Sequence, residues 1–421
     1  DVEIAYYDER VERINFDAPT DLAAITVETY TAKRAYEIAA EYSKRGVKTL
    51  LGGYHVTLLP DEAQMYGDSI LVGYAEPLWA QVVRDAEKGI LQRRYTQNKA
   101  QPYEYGMPRR DIFQGKPYFK LSCLETGRGC PLHCNFCSIA AATSSRYNGR
   151  PIDSIVAEIA ALKNRNVFFI DDNFVGNLKH ARDLCREIAP LKINWVGQGT
   201  LNMAKDEKLL EIMAESGCAG VLIGFESLRH DTLQLMDKKL NVVMGDYKTL
   251  IHRLHQHGIG LYGTFIFGYD SESAKDTVRT AEAAIDFGLF IAAFNHLLPF
   301  PGTPLYEQFR SEGKLTDEQW WLSPTFRFGD VPFYPKNMTS QELHELCLNA
   351  RRRFYSFSGM LKRATNIKGN GTTLKKAAMF WGINALLRKE IGQKDGLPLG
   401  NHPVRPVPLY PQDVVPDPVT Y

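Results

Sequence analysis

Cys130, Cys134 and Cys137 lie in one short run, Gly-Cys-Pro-Leu-His-Cys-Asn-Phe-Cys. Thiolates at this spacing can curl around one soft metal centre. Three is one too few to fill the four irons of a cubane cluster, and an iron without a protein ligand is open to a small molecule. A structural zinc site would show four Cys or His ligands in paired modules. His133 is adjacent to Cys134 and badly placed for a fourth ligand, and no second Cys-x-x-Cys exists. A disulfide framework is disfavoured because seven cysteines in 421 residues is sparse and odd-numbered. No apolar export signal is present, so a reducing cytoplasm is the expected location. Cys123, Cys185, Cys218 and Cys347 sit in apolar or helical contexts and read as buried thiols.

The spacing, with Phe136 just before the last cysteine, resembles the radical S-adenosylmethionine (SAM) superfamily. The resemblance implies a 4Fe–4S cluster on Cys130, Cys134 and Cys137 whose open iron binds the amino and carboxylate groups of SAM. One electron, from a reductant such as flavodoxin or ferredoxin, would then release a 5′-deoxyadenosyl radical.

The elements that must position this loop follow one grammar. From Cys123 onward, strands are predicted at 120–125, 167–170, 194–196, 220–224, 261–267 and 292–298. Helices are predicted between them at 152–163, 179–188, 206–215, 242–257 and 274–287. Six βα repeats suggest a barrel or an incomplete one, with functional loops after the carboxyl ends of the strands. The cysteine loop follows the first of these strands.

Other strand ends carry polar groups. Asp171, Asp172 and Asn173 end the second strand, where the superfamily often contacts the methionine amino group; this run departs from the usual Gly-Gly-Glu-like pattern. The bland reading of the two acids is a helix N-cap. Gln198 ends the third strand and Glu226 the fourth, matching positions that hold ribose hydroxyls in related enzymes, against helix capping as the alternative. Phe267 ends the fifth strand, similar to the family's adenine-packing strand. Leu298-Pro-Phe-Pro-Gly-Thr-Pro304 is a stiff loop over the predicted barrel mouth.

Residues 1–95 also alternate strands (2–7, 22–27, 47–51, 70–72) with helices (33–44, 77–88), implying a parallel sheet. Gly52-Gly53-Tyr54-His55 and Val72-Gly73-Tyr74-Ala75-Glu76 resemble the cobalamin-binding domain of the class B radical SAM enzymes, and the likeness runs on to about residue 330. Two glycines after a strand let a backbone approach a bulky ligand. On this resemblance Thr26 and its neighbours supply hydroxyls near the nucleotide tail, and Glu28, Thr29 and Tyr30 lie nearest the lower face of cobalt. The resemblance also implies cobalamin without a histidine ligand, since members of this branch lack the Asp-x-His-x-x-Gly motif; none occurs in residues 1–95, though by chain order it would fall upstream of them. His55 reads as a surface or tail-contacting residue more than a cobalt ligand. By chain order 22–27 would be the family's third strand, so residues are expected upstream of Asp1. Methylthiotransferases also place an α/β domain first, but theirs carries three further cysteines, and residues 1–122 have none.

The expected organisation is α/β: a Rossmann-like cobalamin-binding domain (1–95), a linker (96–120), a partial (βα)6 TIM-like barrel (121–315) and a small helical C-terminal domain (316–421) with an extended Pro-rich tail from Pro403. Helices are predicted at 341–353 and 373–389. The latter mixes Leu374, Ala377, Ala378, Phe380, Trp381, Ala385 and Leu387 with Lys375, Lys376, Arg388 and Lys389. That composition fits packing on the barrel, or else a surface for lipid, a membrane face or an acidic substrate. It resembles class B members that include hopanoid and bacteriochlorophyll side-chain methylases.

A net charge of +1 gives no field that would draw nucleic acid. The resemblance implies a methyltransferase that moves a methyl group from methylcobalamin to an unactivated carbon of a small-molecule, lipid or tetrapyrrole-type substrate. The alternatives are cobalamin use without net methylation (cyclisation, rearrangement or oxidation) and an iron–sulfur scaffold without turnover. Peripheral membrane contact through the basic C-terminal helices is a further expectation.

Overall fold

The computed structural model describes residues 2–98 and 105–400. The Pro-rich tail from Pro403 and part of the expected linker lie outside the described residues.

Two parallel sheets organise the chain. The first is ordered β1 (Leu22–Thr26), β2 (Lys48–Gly52), β3 (Ser69–Val72) and β4 (Arg94–Thr96). The second holds β5 (Ser122–Leu124), β8 (Asn166–Phe169), β9 (Asn194–Gly199), β10 (Cys218–Glu226), β11 (Gly260–Phe267) and β12 (Ile291–His296), adjacent in that order and all parallel. A short antiparallel pair, β6 (Gly127–Arg128) and β7 (Asn148–Gly149), brackets the cysteine loop. Parallel strands in one sheet put all their carboxyl ends on one edge. The chain is therefore a mixed α/β protein with parallel sheets.

Apolar periodicity explains the long elements. Helix Leu178–Ile188 buries Ala181, Leu184, Cys185 and Ile188, a spacing of three and four that makes one helical face. The interior of the larger sheet is aromatic. Phe225, Phe265 and Phe294 stack across β10, β11 and β12, with centroids 5.6 and 5.4 Å apart and planes within 14° and 11°. Such cross-strand pairs tie neighbouring strands in register.

Several expectations are corrected. Val2–Tyr7 forms no strand; Tyr6 packs edge-on to Phe113 at 5.1 Å, and Tyr118 donates to Asp8. The segment is spent on contacts with residues 110–118 and leaves the β1 edge unpaired by it. Strand β4 is absent from the expected elements because Arg93 and Arg94 break the apolar pattern, although Tyr95 is buried. An edge strand needs only one buried side chain to dock. Cys123 is exposed, whereas Cys185, Cys218 and Cys347 are buried.

The expected helical C-terminal unit begins only at Ser340. The irregular segment before it crosses back to the first sheet, where Trp320 and Trp321 are buried with Val27, Tyr36, Leu51 and Val56. The C-terminal helices Ser340–Phe354, Phe357–Ala364 and Leu374–Glu390 assemble around Arg363. Its buried guanidinium donates to the carbonyls of Leu289, Phe290 and Phe354 and to Asn384 Oδ1, at 2.9–3.1 Å. It also lies 3.7 Å from the centroid of Phe354. In helix Leu374–Glu390, core packing holds for Phe380 but not for Leu374 or Trp381, which are exposed.

Replacing Arg363 by Met leaves several buried carbonyls without donors and is expected to cost about 3 kcal/mol or more. Leu374→Ser is expected to stay within about 0.5 kcal/mol of the parent. Urea unfolding midpoints of the two variants check this, and equal midpoints would contradict the role of Arg363.

Candidate active site

The cysteine loop lies at the carboxyl end of β5 and has no regular structure of its own, so its backbone polar groups need partners from outside it. Gly129 N–H donates to Asp172 Oδ2 at 2.8 Å. Asn135 N–H donates to Met236 O, and Asn135 O accepts from Leu305 N–H at 3.0 Å. The Asn135 side chain donates to Leu235 O and accepts from the Tyr269 hydroxyl. Cys137 then caps helix Ser138–Thr143. Gly129 has φ +81°, and a Cβ there would stand 1.9 Å from Arg146 O, so only glycine fits.

The three sulfurs share one electrostatic neighbourhood. Burial pushes the Cys134 thiol up to about 11, with Lys238 opposing, and raises Cys137 as well. The backbone amides at the start of helix Ser138–Thr143 oppose that rise at Cys137. Asn173 Nδ2 lies 3.5 Å from Cys130 Sγ. Among the described residues no three His, Cys, Asp or Glu groups converge as ligands of one ion. A cubane seats each thiolate on a different iron, so it asks for three sulfurs spread around a common centre. This donor set fits a three-cysteine cluster.

The polar strand ends sort into two kinds. Asp171 accepts from Thr126 N–H and from its hydroxyl, at 2.6 Å for the latter, so its role is to hold the start of the cysteine loop. Burial nevertheless raises its carboxyl to about 6. Asp172 uses its carboxylate on Gly129, and its carbonyl accepts from Gln198 Nε2 at 2.9 Å. Asn173 Oδ1 is buried without a hydrogen-bond partner. An unsatisfied buried acceptor beside Cys130 fits a donor such as the amino group of SAM.

Glu226 sits where β10 shifts register, at φ +63°, a backbone state costly for a residue with a Cβ. Asn241 Nδ2 donates to the carbonyls of Gly224 and Phe225, both at 3.1 Å, and so supports the bulge. The bulge aims the Glu226 carboxylate at Lys238 Nζ, 2.7 Å away, with both residues buried. A Cβ at Gly224 would lie 2.1 Å from Glu226 Oε1, so a side chain there would displace the end of that carboxylate. Phe136 packs against the main core, and Phe267 is wholly inside it beside Phe294, so only the backbone of Phe267 is at the strand end.

The loops of the first sheet approach this site. Arg128 donates to Glu125 at 2.5 Å and to Glu76 at 2.7 Å, and its guanidinium lies 4.9 Å from the Tyr74 ring centroid. One side chain thus joins the carboxyl edges of both sheets. Burial, followed by Asp171, Glu76 and Asp172, pushes Glu125 up to about 8. The fields of Asp172 and Arg128 reach Tyr54, which follows Gly53. Gly53 has φ +108°, and a Cβ would meet Val27 O at 2.7 Å; Gly73 has φ +92° and crowds Gln97. The fold itself therefore requires both glycines. Gly52, in contrast, is not at positive φ.

His55 is fully buried, a correction to its reading as a surface residue. Its Nδ1 meets Thr29 Oγ1 at 3.1 Å and its Nε2 meets Glu62 Oε1 at 2.9 Å. Tyr36 and Trp321 also donate to Glu62. Both ring nitrogens are engaged within this network. Tyr30 stacks on Phe328 at 5.6 Å and meets Phe300 and Trp320 edge-on, while Thr26 and Glu28 are exposed. Lys238, Arg128, Asn135 and Glu62 are not marked in the sequence; each is a single polar residue in a loop, a helix or, for Arg128, the short strand β6, with no spacing that singles it out.

Lys238→Met leaves Glu226 buried and uncompensated, and is expected to cost about 3–5 kcal/mol. Adding Glu226→Gln is expected to recover most of that loss. Denaturant unfolding of the single and double variants measures both, and a single-variant cost below about 1 kcal/mol would mean that the pair is not buried.

Residues 124–284 match the family model of the radical SAM superfamily. Over 380 residues the chain is 29% identical to the bacteriochlorophyllide d C-12(1)-methyltransferase of Chlorobaculum tepidum, covering 88% of this chain and 80% of that protein. It is 28% identical over 330 residues to the bacteriochlorophyllide d C-8(2)-methyltransferase of the same organism, covering 73% and 72%. Among solved structures it is similar to the radical SAM methyltransferase TsrM from Kitasatospora setae with cobalamin and a 4Fe–4S cluster bound. The TM-score is 0.57 at 18% identity, over 82% of this chain and 73% of that one, a likeness of fold. The matched span contains the cysteine loop and strands β8 to β11 of the larger sheet, and this part of the chain is a radical SAM domain.

Proposed function

We propose that this protein is a cobalamin-dependent radical SAM methyltransferase acting on an unactivated carbon, with a tetrapyrrole-type substrate. The observation that carries the reading is the meeting of two carboxyl edges: Arg128, two residues before Cys130, bonds both Glu125 beside β5 and Glu76 beside β3. A methyl carrier and a hydrogen-abstracting centre must reach one carbon, so two cofactors on facing edges suit the chemistry. The bacteriochlorophyllide methyltransferases named above support the substrate class. In finer detail, the reading takes the larger sheet as a partial (βα)6 barrel and the first sheet as a Rossmann-like cobalamin-binding module.

When bound, the cluster with SAM would supply a radical that removes hydrogen, and the corrinoid a transferable methyl group. The chain's own residues would do the rest. Cys130, Cys134 and Cys137 would hold three irons as thiolates; burial raises the Cys134 and Cys137 thiols, so loading would release protons. Asn173 Oδ1 would accept from the SAM amino group. Gln198 and Glu226 stand at the strand ends where ribose hydroxyls need partners, Glu226 held by Lys238. Asp172 positions the loop through Gly129. On the facing edge, the loops after β1, β2 and β3 (Thr26–Tyr30, Gly52–His55, Gly73–Glu76) would receive the corrinoid. Within them His55 acts through Thr29 and Glu62 as a positioning residue.

Anaerobically reconstituted full-length protein, given dithionite, SAM, cobalamin and bacteriochlorophyllide d, tests the proposal. The expected products are deoxyadenosine, S-adenosylhomocysteine and a pigment heavier by one methylene. Deoxyadenosine without S-adenosylhomocysteine would sink methyl transfer and favour cyclisation, rearrangement or oxidation. Cys134→Ala should lose both iron–sulfur absorbance and SAM cleavage; cleavage surviving in that variant would overturn the assignment of the cluster loop.

A further inference from the structure

Helix Leu374–Glu390 is apolar on two sides. One side packs inward through Phe380 and Asn384, with Ala377 and Leu387 partly covered. The other presents Leu374, Ala378, Trp381 and Ala385, spaced three and four apart, to solvent, and Leu374 is 93% exposed. Phe357, on the neighbouring helix Phe357–Ala364, meets Trp381 at 6.5 Å between ring centroids and is itself 63% exposed. Leu361, one turn on, extends the same surface. Isolated exposed apolar residues need no explanation, but a stripe continued across two helices does.

Charge supplies the second observation. From Leu346 to Lys389 the sequence has no Asp or Glu and ten Lys and Arg, in a chain whose net charge is +1. Arg353 and Lys362 are paired with Glu282 and Asp286 on helix Ala274–Asp286, and Arg363 is buried. Lys368, Lys375, Arg388 and Lys389 are exposed around the apolar stripe, and the first acid, Glu390, comes at the helix end. No helix among the described residues is long and apolar enough to cross a membrane.

We propose that this face is a docking surface for an anionic lipid bilayer, the apolar stripe entering the headgroup boundary and the surrounding cations meeting acidic headgroups. A second protein copy would call for balanced charges around the stripe, whereas Lys368, Lys375, Arg388 and Lys389 flank it against Glu390 at the helix end. The position in the fold fixes the orientation. These helices, with Asn370 between them, bond the carbonyls of Ala219, Gly258, Gly288, Leu289 and Phe290, which lie at the amino ends of β10, β11 and β12. The cysteine loop lies at the opposite edge of the same sheet. Docking would therefore hold the protein at the membrane with its reaction centre turned away, and the inference stands apart from the reaction proposed above.

Co-sedimentation of the full chain with phosphatidylcholine vesicles, with and without phosphatidylglycerol, tests it. Binding is expected only with phosphatidylglycerol and should weaken as ionic strength rises. Leu374→Ser with Trp381→Ser, and separately Lys375→Glu with Lys389→Glu, should each weaken it by about tenfold or more with unfolding midpoints unchanged. Absence of binding, equal binding to neutral vesicles, or variants that bind like the parent would overturn the proposal. So would a chain that dimerises through this face, with the serine variant monomeric and neither form sedimenting with vesicles.

Discussion

A loop that holds a metal cluster has to be rigid without being regular, and here the burden falls on hydrogen bonds to its backbone. The run from Gly129 to Cys137 forms neither helix nor strand, so its amides and carbonyls are paired with Asp172, Met236 and Leu305. Those partners come from the ends of three different βα units of one parallel sheet. The loop's shape is thereby set by the relative placement of the strands, and the strands are held by a stack of phenylalanines. Stability of the core and geometry of the site are one problem in this fold.

The same economy appears at Glu226. A residue at φ +63° in a strand is sustained because Asn241 satisfies the carbonyls that the bulge releases and Lys238 neutralises the buried carboxylate. Strain is concentrated at a strand end facing the cysteine loop and balanced by residues one helix away. Across the seam, Arg128 does for the two sheets what Lys238 does within one. Its two carboxylate partners sit on separate sheets, so the guanidinium fork ties the edges together while neutralising a cluster of acids that would otherwise repel.

The segment from Leu315 to Phe328 has a part in this arrangement that its composition conceals. It contributes Trp320 and Trp321 to the core of the first sheet, and Trp321 reaches the buried carboxylate of Glu62, which His55 also engages. The loops that end β1 and β2 are therefore braced from behind by residues some 260 positions later in the chain. Such bracing fits a module that must present irregular loops to a large ligand without letting them collapse.

The sequence alone determined what depends on local spacing. Cysteines three and four apart must share a loop, and alternating apolar runs and helical faces must build parallel sheets, because both follow from covalent distance and periodicity. Element ends were legible to within a few residues where glycine or a cap marks them, as at Ala32–Lys44 and Ala274–Asp286. Where burial is one-sided, as in β4, or where an apolar run finds no sheet edge, as in Val2–Tyr7, periodicity misleads. Only the tertiary structure decided which polar groups meet. That Lys238 faces Glu226, that Arg128 spans the seam, and that His55 lies buried between Thr29 and Glu62 all depend on how strand ends and loops are juxtaposed in space. Desolvation and ion pairing act through space and leave no period in the chain to read.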